Sequence, residues 1–376
     1  MRQVVCGNAG TIGEELGMDK SPFWHSYLSH PVDGEHLNEG LGHCRRAFAD
    51  HRAIIARMID KFRPDTIAVL GSGYLTDIPV ADLIDDNKKL YLFDWIEGTA
   101  RIGLSRSIVS RNEQGHNCLF CKVRTGNRYC RNYTGEFYQE GVCTAFELIE
   151  EPAVTCSNYD PADEPVFIRA DITGGVASGF AAASDKMVAS CRTPKQAFLK
   201  LLNAIDNIKF GPIPMGEDSI DLVTSSMVLS QFDAEPYAYF SHLLLERFGR
   251  DEIMKHEAKL GPLMEKLRSR LFILQVEAHV RELHRILKKD GKARAYVSAE
   301  LFRSNPMGDV EQYFLVQDMP IALEIIGRYF SFEFGPLLED MILRKSELGD
   351  GVSINQNYIL IPKAEHAPSF IARYSH

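Results

Sequence analysis

Five short apolar runs recur along the chain, and each ends at or runs into a small or acidic residue. They are five to eight residues long and lack the polar alternation of a half-exposed strand. Such runs are typical of strands that helices cover on both faces of a sheet. The pattern therefore predicts five buried strands, at residues 66–70, 89–93, 166–170, 219–226 and 292–297.

Segments of helical periodicity separate several of these runs. Apolar residues between positions 45 and 62 fall at helical spacing, and Pro64 then ends the predicted helix. Before the fifth run, one apolar stripe predicts a long helix that contains Leu263, Leu267, Leu271, Leu274 and Ala278. This alternation predicts an α/β fold with a doubly wound, mostly parallel sheet.

Two further apolar runs close the chain, at residues 341–343 and 358–361. The turn-rich segment Gly349-Asp350-Gly351 lies between them. Because two strands joined by a short turn must run in opposite directions, we predict a closing antiparallel hairpin.

Composition and charge narrow the class of protein. The chain has 376 residues and a net charge of −9, so phosphate backbones repel it on average and general nucleic-acid binding is disfavoured. No apolar run is long enough to cross a bilayer, and the first residues lack the apolar stretch of a secretory signal. We therefore expect a cytoplasmic protein with no membrane association, acting on a small molecule rather than on nucleic acid. Its oligomeric state is open.

Candidate ligand-binding residues cluster at the ends of the predicted strands. Gly71-Ser72-Gly73 follows the first strand, where small residues let the backbone approach a ligand. Asp94 ends the second strand, a position from which a carboxylate accepts hydrogen bonds from ribose hydroxyls. Because the carboxyl ends of parallel strands share one edge, we expect these residues to converge with Asp171 and Ser225. The alternative is that these residues have structural roles only. The glycines would then form a tight turn, Asp94 would cap a helix, and Asp171 would lie in a turn.

These segments resemble the motifs of class I (Rossmann-like) S-adenosyl-L-methionine-dependent methyltransferases. The resemblance extends over residues 45–363 outside one insertion. Its first motif matches residues 67–73, its second, acidic motif 92–95, and its third 170–172. The fourth strand and its loop match 221–232, and the helix and turn before the fifth strand match 283–292.

The resemblance implies a seven-stranded sheet whose last strand is antiparallel, S-adenosyl-L-methionine as cofactor, and methyl transfer as activity. In that family the first-motif glycines cradle the methionine moiety and the third-motif acid meets the adenine amino group. The cofactor residues carried over to this chain are Gly71, Ser72, Gly73, Asp94, Trp95, Asp171, Ile172 and Ser225.

The chain departs from the family pattern at its first motif. Tyr74 and Leu75 follow Gly73 where a third glycine is usual, and Val69 stands where an acid often precedes the glycines. The fourth strand is not followed by Asn-Pro-Pro-Tyr or Asp-Pro-Pro-Tyr, which disfavours methylation of adenine or of glutamine amides. Two alternatives stay open: a Rossmann-type NAD-dependent oxidoreductase, and a non-catalytic regulatory protein that binds S-adenosyl-L-methionine.

An insertion of about 70 residues between the second and third strands carries a cluster of cysteines. Thiolates at such spacing suit zinc or an iron–sulfur cluster, and the predicted ligands are Cys118, Cys121, Cys130 and Cys143. Cys156 is an alternative ligand. Free thiols and redox-active disulfides are the competing interpretations. The same region is rich in basic residues. These residues either form a solvent-exposed surface or bind an acidic acceptor.

The predicted domain organisation follows from these segments. Residues 1–62 form an N-terminal helical cap, 63–363 a methyltransferase-like domain interrupted by a Cys-rich insertion at 101–163, and 364–376 a tail. We expect the cap and the insertion to cover the acceptor, because both lie outside the alternating core. No catalytic base is assigned. The residues with suitable chemistry are His242, Tyr237, Tyr239, His25, His30, His43 and His51.

Overall fold

The structure is a computed structural model of the chain. It describes residues 48–73, 75–79, 88–95, 100, 138–139, 142–143, 165–304, 310–312, 317–333, 343–348 and 351–365. The helices within these ranges are α1 (Ala49–Phe62), α2 (Val176–Ser190), α3 (Pro194–Ala204), α4 (Ala234–Phe248), α5 (Arg250–Lys255), α6 (Glu257–Ile286) and α7 (Met319–Tyr329). Short 3₁₀ turns cover Ile205–Asn207 and Leu229–Gln231.

The strands follow the order of the apolar runs. They are β1 (Thr66–Leu70), β2 (Lys89–Asp94), β3 (Tyr138–Gln139), β4 (Val142–Cys143), β5 (Val166–Arg169), β6 (Leu222–Ser225), β7 (Arg294–Ser304), β8 (Val310–Gln312), β9 (Phe330–Phe332), β10 (Leu343–Leu348) and β11 (Gly351–Pro362). All five predicted strands are present, but β5 lies at the edge of the sheet and is only partly buried, with Val166 exposed. The fifth, β7, continues to Ser304 because β11 and β8 pair along its length.

Seven strands form one mixed sheet in the order β10-β11-β7-β6-β1-β2-β5. The pairs from β5 through β7 are parallel, whereas β11 runs antiparallel to both β7 and β10. The α/β fold, the seven-stranded sheet and the antiparallel last strand are thereby confirmed. β8 and β9 pair at the sides of this sheet, and β3 and β4 form a separate ladder.

Helices cover both faces of the sheet. Alternate residues of β1 point in opposite directions, so Ile67 and Val69 pack with α1 whereas Ala68 and Leu70 pack in the cluster that contains α6 and α7. The helix α1 ends where predicted, with Arg63 in a left-handed conformation before Pro64. A third layer joins α2, α3, α4 and the first half of α6 around apolar side chains.

The strand order reverses between β1 and β6. From β1 the chain continues to β2 and β5 on one side, and it returns to β6 and β7 on the other. In open α/β sheets ligands bind beyond the carboxyl ends of the strands at such a reversal. The loops after β1, β2, β5 and β6 all leave from this edge. None of the helices in the described ranges has both the length and the apolar character of a membrane span.

Candidate functional site

The loop after β1 is fastened to the end of β2. The backbone amides of Gly71 and Ser72 donate to the carbonyl oxygen of Phe93, at 2.9 and 3.1 Å. The amide of Gly73 donates to Oδ2 of Asp94 at 2.7 Å. The first two predicted motifs are therefore in direct contact, and the acid orients the glycine loop.

The two glycines of this loop have different surroundings. Both have positive φ angles, 72° at Gly71 and 45° at Gly73. A Cβ atom at Gly71 would lie 2.6 Å from Cγ2 of Val228 and 3.2 Å from Cδ1 of Ile172. At Gly73, apart from its own chain neighbours, no atom of the described residues lies within 4 Å of that position. Gly71 thus permits close packing of three loops, whereas Gly73 borders open space where a ligand can approach the backbone.

Trp95 follows Asp94 at the edge of the sheet. The guanidinium carbon of Arg169, at the end of β5, lies 4.4 Å from the centroid of the Trp95 ring. The tryptophan also packs against the cluster of Ala177, Ala181 and Tyr239. The end of β2 therefore presents an acid and a partly buried aromatic ring next to each other.

The carboxylate of Asp171 is occupied by its own loop and helix. Its Oδ1 accepts from the amide of Thr173 at 2.9 Å and from the Thr173 hydroxyl. Its Oδ2 accepts from the amide of Ser178 at 3.1 Å and from the Ser178 hydroxyl at 2.9 Å. Since a carboxylate has about four lone-pair sites, these four donors fill them. Asp171 and Thr173 together cap the first turn of α2.

Ser225 is also engaged inside the protein. Its Oγ lies 2.8 Å from Nε2 of His279 on α6, and His279 Nδ1 lies 2.8 Å from the carbonyl oxygen of Ile172. Since that carbonyl only accepts, Nδ1 carries the proton and the Ser225 hydroxyl donates to Nε2. Burial lowers the pKa of His279 to about 4, so the ring is neutral. These two hydrogen bonds of His279 join α6 to the end of β6 and to the loop after β5.

Asp77 lies at the same edge and was not singled out from the sequence. It stands in the loop after β1, four residues beyond Gly73. Burial raises its pKa to about 6, against the opposing effects of Ser226 and the positive charge of Arg52. In the sequence, Asp77 is recognisable only as an acidic residue that follows the glycine loop.

The candidate bases are arranged for structural roles where the structure describes them. His51 of α1 is buried: its Nδ1 lies 2.6 Å from Oη of Tyr296, and Tyr296 donates to Asn357 at 3.0 Å. Burial lowers the pKa of His51 to about 4. The hydroxyl of Tyr239 donates to Asp185 at 2.7 Å.

Two further candidates interact with other side chains of the described residues. His242 forms an exposed pair with Glu246 at 3.0 Å. The Tyr237 ring lies under the guanidinium of Arg268 and burial raises the pKa of its hydroxyl. His25, His30 and His43 lie outside the described residues.

The cysteine insertion lies largely outside the described residues. Cys118, Cys121, Cys130 and Cys156 all fall there, and Cys143 is described only as the last residue of β4. Among the residues that the structure does describe, no three His, Cys, Asp or Glu side chains are grouped as metal ligands. Zinc binding at the cysteines stays a prediction.

Comparison with known proteins adds little to this geometry. No protein-family model matches the chain, and no curated protein is similar to it in sequence. The crystal structure of the PH0226 protein from Pyrococcus horikoshii OT3 aligns with a TM-score of 0.32 and 8% identity, covering 79% of this chain and 82% of that one.

A second solved structure comes from Methanococcus maripaludis and is proposed to be an S-adenosyl-L-methionine-dependent methyltransferase. It aligns with a TM-score of 0.36 and 12% identity, covering 90% of this chain and 98% of that one. Similarities at these TM-scores do not assign a function to this chain. The function has to be inferred from the chain's own residues.

Proposed function

We propose that this chain binds S-adenosyl-L-methionine at the carboxyl edge of its sheet and transfers the methyl group to an acceptor. One observation carries the proposal. The glycine loop after β1 is bonded to the acid that ends β2, beside the point where the strand order reverses. Both residues belong to segments that resemble the first two motifs of the class I methyltransferases.

The residues at this edge fit an adenosine ligand with an amino-acid tail. The open space beside Gly73 admits a ligand against the backbone. Asp94 would accept hydrogen bonds from the ribose hydroxyls, with Oδ2 shared between ligand and loop. The hydroxyl of Ser72 is buried and has no hydrogen-bond partner within the described residues, so it supplies a polar group for the ligand. Trp95 and Ile172 would form apolar walls for the adenine.

Asp171 and Ser225 have a different part in this proposal. Their polar atoms are already bonded to α2 and α6, so they position the loops after β5 and β6 rather than contact the ligand. We therefore propose that the backbone and side chain of Ile172, rather than the carboxylate of Asp171, contact the adenine. The cofactor residues that we propose to touch the ligand are Gly71, Ser72, Gly73, Asp94, Trp95 and Ile172.

The cofactor, when bound, supplies a methyl carbon activated by the adjacent sulfonium. The protein then has to position the acceptor in line with that carbon and to exclude water. We propose a small-molecule acceptor, in keeping with the net charge of −9. Residues 1–62 and the insertion at 101–163 are proposed to cover it. Removing residues 1–40 should then reduce methyl transfer, once the acceptor is known, with cofactor binding retained.

Titration calorimetry with S-adenosyl-L-methionine, S-adenosylhomocysteine and NAD tests the cofactor. We expect binding of the first two and none of NAD. Asp94→Asn should weaken both about 10- to 100-fold, because it removes a charge-assisted pair of hydrogen bonds worth about 1.5–3 kcal/mol. The exposed Asp60→Asn is the matched control and should bind as the wild type does. Binding of NAD with no binding of S-adenosyl-L-methionine would refute the proposal.

Metal content is a separate measurement. We propose that Cys118, Cys121, Cys130 and Cys143 hold zinc, on the strength of their spacing in the sequence alone. Elemental analysis of protein purified without added metal should give about one zinc per chain. A preparation with neither zinc nor iron would contradict the proposal and would leave the methyltransferase assignment untouched.

A further inference from the structure

Two acids stand at the starts of helices near the carboxyl edge of the sheet, yet neither caps its helix. Asp233 precedes α4, at the end of the loop after β6, and Asp318 precedes α7. Both occupy the N-cap position, where an aspartate side chain commonly accepts a hydrogen bond from an amide of the first turn. Neither carboxylate makes such a bond. The two side chains therefore have a role other than capping.

Both carboxylates turn toward α6 and bond to consecutive residues of that helix. Oδ2 of Asp233 accepts from Nε of Arg268 at 2.6 Å, and Oδ1 of Asp318 accepts from the hydroxyl of Ser269 at 2.8 Å. Asp233 is 2% exposed and Asp318 6%, so both carboxylates lie inside the protein. We call these two residues the acid pair. It joins the starts of α4 and α7 to α6.

The charges of the acid pair are balanced at one member only. Arg268 is bonded to Asp233, whereas Asp318 receives a neutral hydroxyl. The second oxygen of Asp318, Oδ2, is buried and has no hydrogen-bond partner in the described part of the chain. Burial raises the pKa of Asp318, and the nearby charge of Asp233 adds to the rise. A buried carboxylate without a counter-charge is costly, and a bound cation would remove that cost.

The acid pair lies next to the proposed cofactor site and outside it. The loop after β6 packs on the glycine loop through Val228, which would lie 2.6 Å from a Cβ atom at Gly71. The same loop then continues through a 3₁₀ turn to Asp233. The acid pair is therefore on the β6 side of the reversal in strand order, whereas Asp94 is on the β2 side. We expect the acceptor on the side that Asp94 and the glycine loop leave open.

Arg268 connects the acid pair to the protein surface. Its side chain is 26% exposed, although the Asp233 side chain that it bonds is 3% exposed. Its guanidinium carbon lies 5.2 Å from the centroid of the Tyr237 ring on α4. An aromatic ring beside two carboxylates is a favourable environment for a cation. The net charge of −9 also favours the approach of a cationic molecule.

We propose that Asp318, with Asp233 and Tyr237 beside it, binds a cationic nitrogen of the methyl acceptor. The acceptor is then a small molecule with an ammonium group, whose N–H donors fill the unused acceptor sites of Asp318. The proposal rests on the chain being a methyltransferase. Asp318 is a binding residue in this proposal, and no proton transfer is assigned to it.

Ligand-observed saturation-transfer NMR with two matched probes tests the ligand class. At neutral pH n-butylamine is a cation, whereas butan-1-ol has the same chain and no charge. On wild-type protein saturated with S-adenosylhomocysteine, we expect butylammonium to bind with a Kd of about 1 mM, a value open to so small a ligand. It should bind about tenfold more tightly than butan-1-ol, because it adds a charged hydrogen bond. Equal binding of the two probes, or binding of neither, overturns the proposal.

Two variants assign the binding to Asp318. Asp318→Asn should reduce butylammonium affinity about tenfold and leave S-adenosylhomocysteine affinity unchanged. Asp206→Asn is the matched control, because Asp206 also pairs with an arginine of α6, Arg270, but is exposed. It should leave both affinities as in the wild type. Wild-type butylammonium affinity in Asp318→Asn would exclude Asp318 as the binding residue.

The same measurements separate this proposal from the proposed function. If the wild type does not bind S-adenosylhomocysteine in titration calorimetry, the proposed function fails. If it binds S-adenosylhomocysteine without preferring butylammonium to butan-1-ol, only the assignment of the acceptor fails.

Thermal unfolding without any ligand gives a second readout. Asp318→Asn keeps the size of the side chain but removes a buried charge that has no counter-charge, so the unfolding midpoint should rise by about 2 °C. Asp233→Asn removes the partner of Arg268 and should lower the midpoint by about as much. A lower midpoint for Asp318→Asn would show that the carboxylate stabilises the fold, and it would overturn the proposal.

Discussion

The two halves of the carboxyl edge use similar residues in opposite ways. In the closed half, the loops after β5 and β6 direct Asp171 and Ser225 into the protein, toward α2 and His279. In the open half, Gly73 borders space that no described atom beyond its chain neighbours fills, and its amide donates to Asp94 at the end of β2.

Asp94 and Asp171 illustrate the difference best, because each is an acid at or just beyond the end of a parallel strand. Asp171 is followed by a tight glycine turn into α2, whose first amides lack partners within the helix and take up its oxygens. Asp94 is followed by Trp95, and its Oδ2 fixes the glycine loop. The oxygens of Asp171 are thus taken up by a helix end, whereas our proposal assigns Asp94 to the ligand.

The largest effect should come from Asp171→Ala. It removes four hydrogen bonds to a charged group and leaves the first turn of α2 without one of its caps. We expect the free energy of unfolding to fall by about 3–4 kcal/mol in urea denaturation. Asp60→Ala, at an exposed ion pair, should change it by less than about 0.5 kcal/mol. If Asp171→Ala kept its stability and lost only ligand affinity, Asp171 would be a ligand group like Asp94, and the two halves of the edge would not differ.

An alanine at Gly71 should cost more stability than one at Gly73. Gly71→Ala combines a positive φ with a contact of 2.6 Å to Val228, so a loss of about 2–4 kcal/mol is expected. Gly73→Ala meets only the φ penalty, about 1 kcal/mol, and should instead weaken binding of S-adenosyl-L-methionine. Urea denaturation and calorimetry on both variants check this. Equal losses of stability would mean that the space beside Gly73 is closed.

The neutral His279 makes the closed half sensitive to acid. Its pKa is lowered by burial to about 4, below the unfolded value of 6.5, so the unfolded state binds more protons between these pH values. Stability is therefore lost as pH falls from 6.5 toward 4, and His279 contributes about 2 kcal/mol of that loss at pH 5.

Comparison with His279→Gln isolates this contribution. The free energy of unfolding of the wild type minus that of His279→Gln should decrease by about 2 kcal/mol between pH 7 and pH 5. Taking the difference cancels the other titrating groups, including His51 and Asp77. A difference that stays constant with pH would show that His279 is not buried as a neutral ring.

The sequence was most informative about the strands and helices of the core. The five apolar runs became β1, β2, β5, β6 and β7, and the leucine stripe became part of α6. These elements are predictable because periodicity records which faces are buried. The length of β7 was not predictable, since its last residues pair with β8 and β11, which come later in the chain.

The site was predictable in its positions but not in its contacts. That Gly71, Asp94 and Asp171 would share one edge follows from parallel pairing alone. How many donors each acid receives within the protein depends on residues far along the chain or on the geometry of a turn. Asp77 had no distinguishing pattern in the sequence, because its raised pKa comes from burial in the folded chain.

The sequence by itself determined the order of strands and helices and the residue types at the edge of the sheet. Hydrophobic periodicity and strand-end residues are local properties, so they can be recognised along the chain. The tertiary structure alone decided which polar groups are used internally and which stay at the edge. Hydrogen bonds between distant segments depend on positions in space, and no local pattern of residues records them.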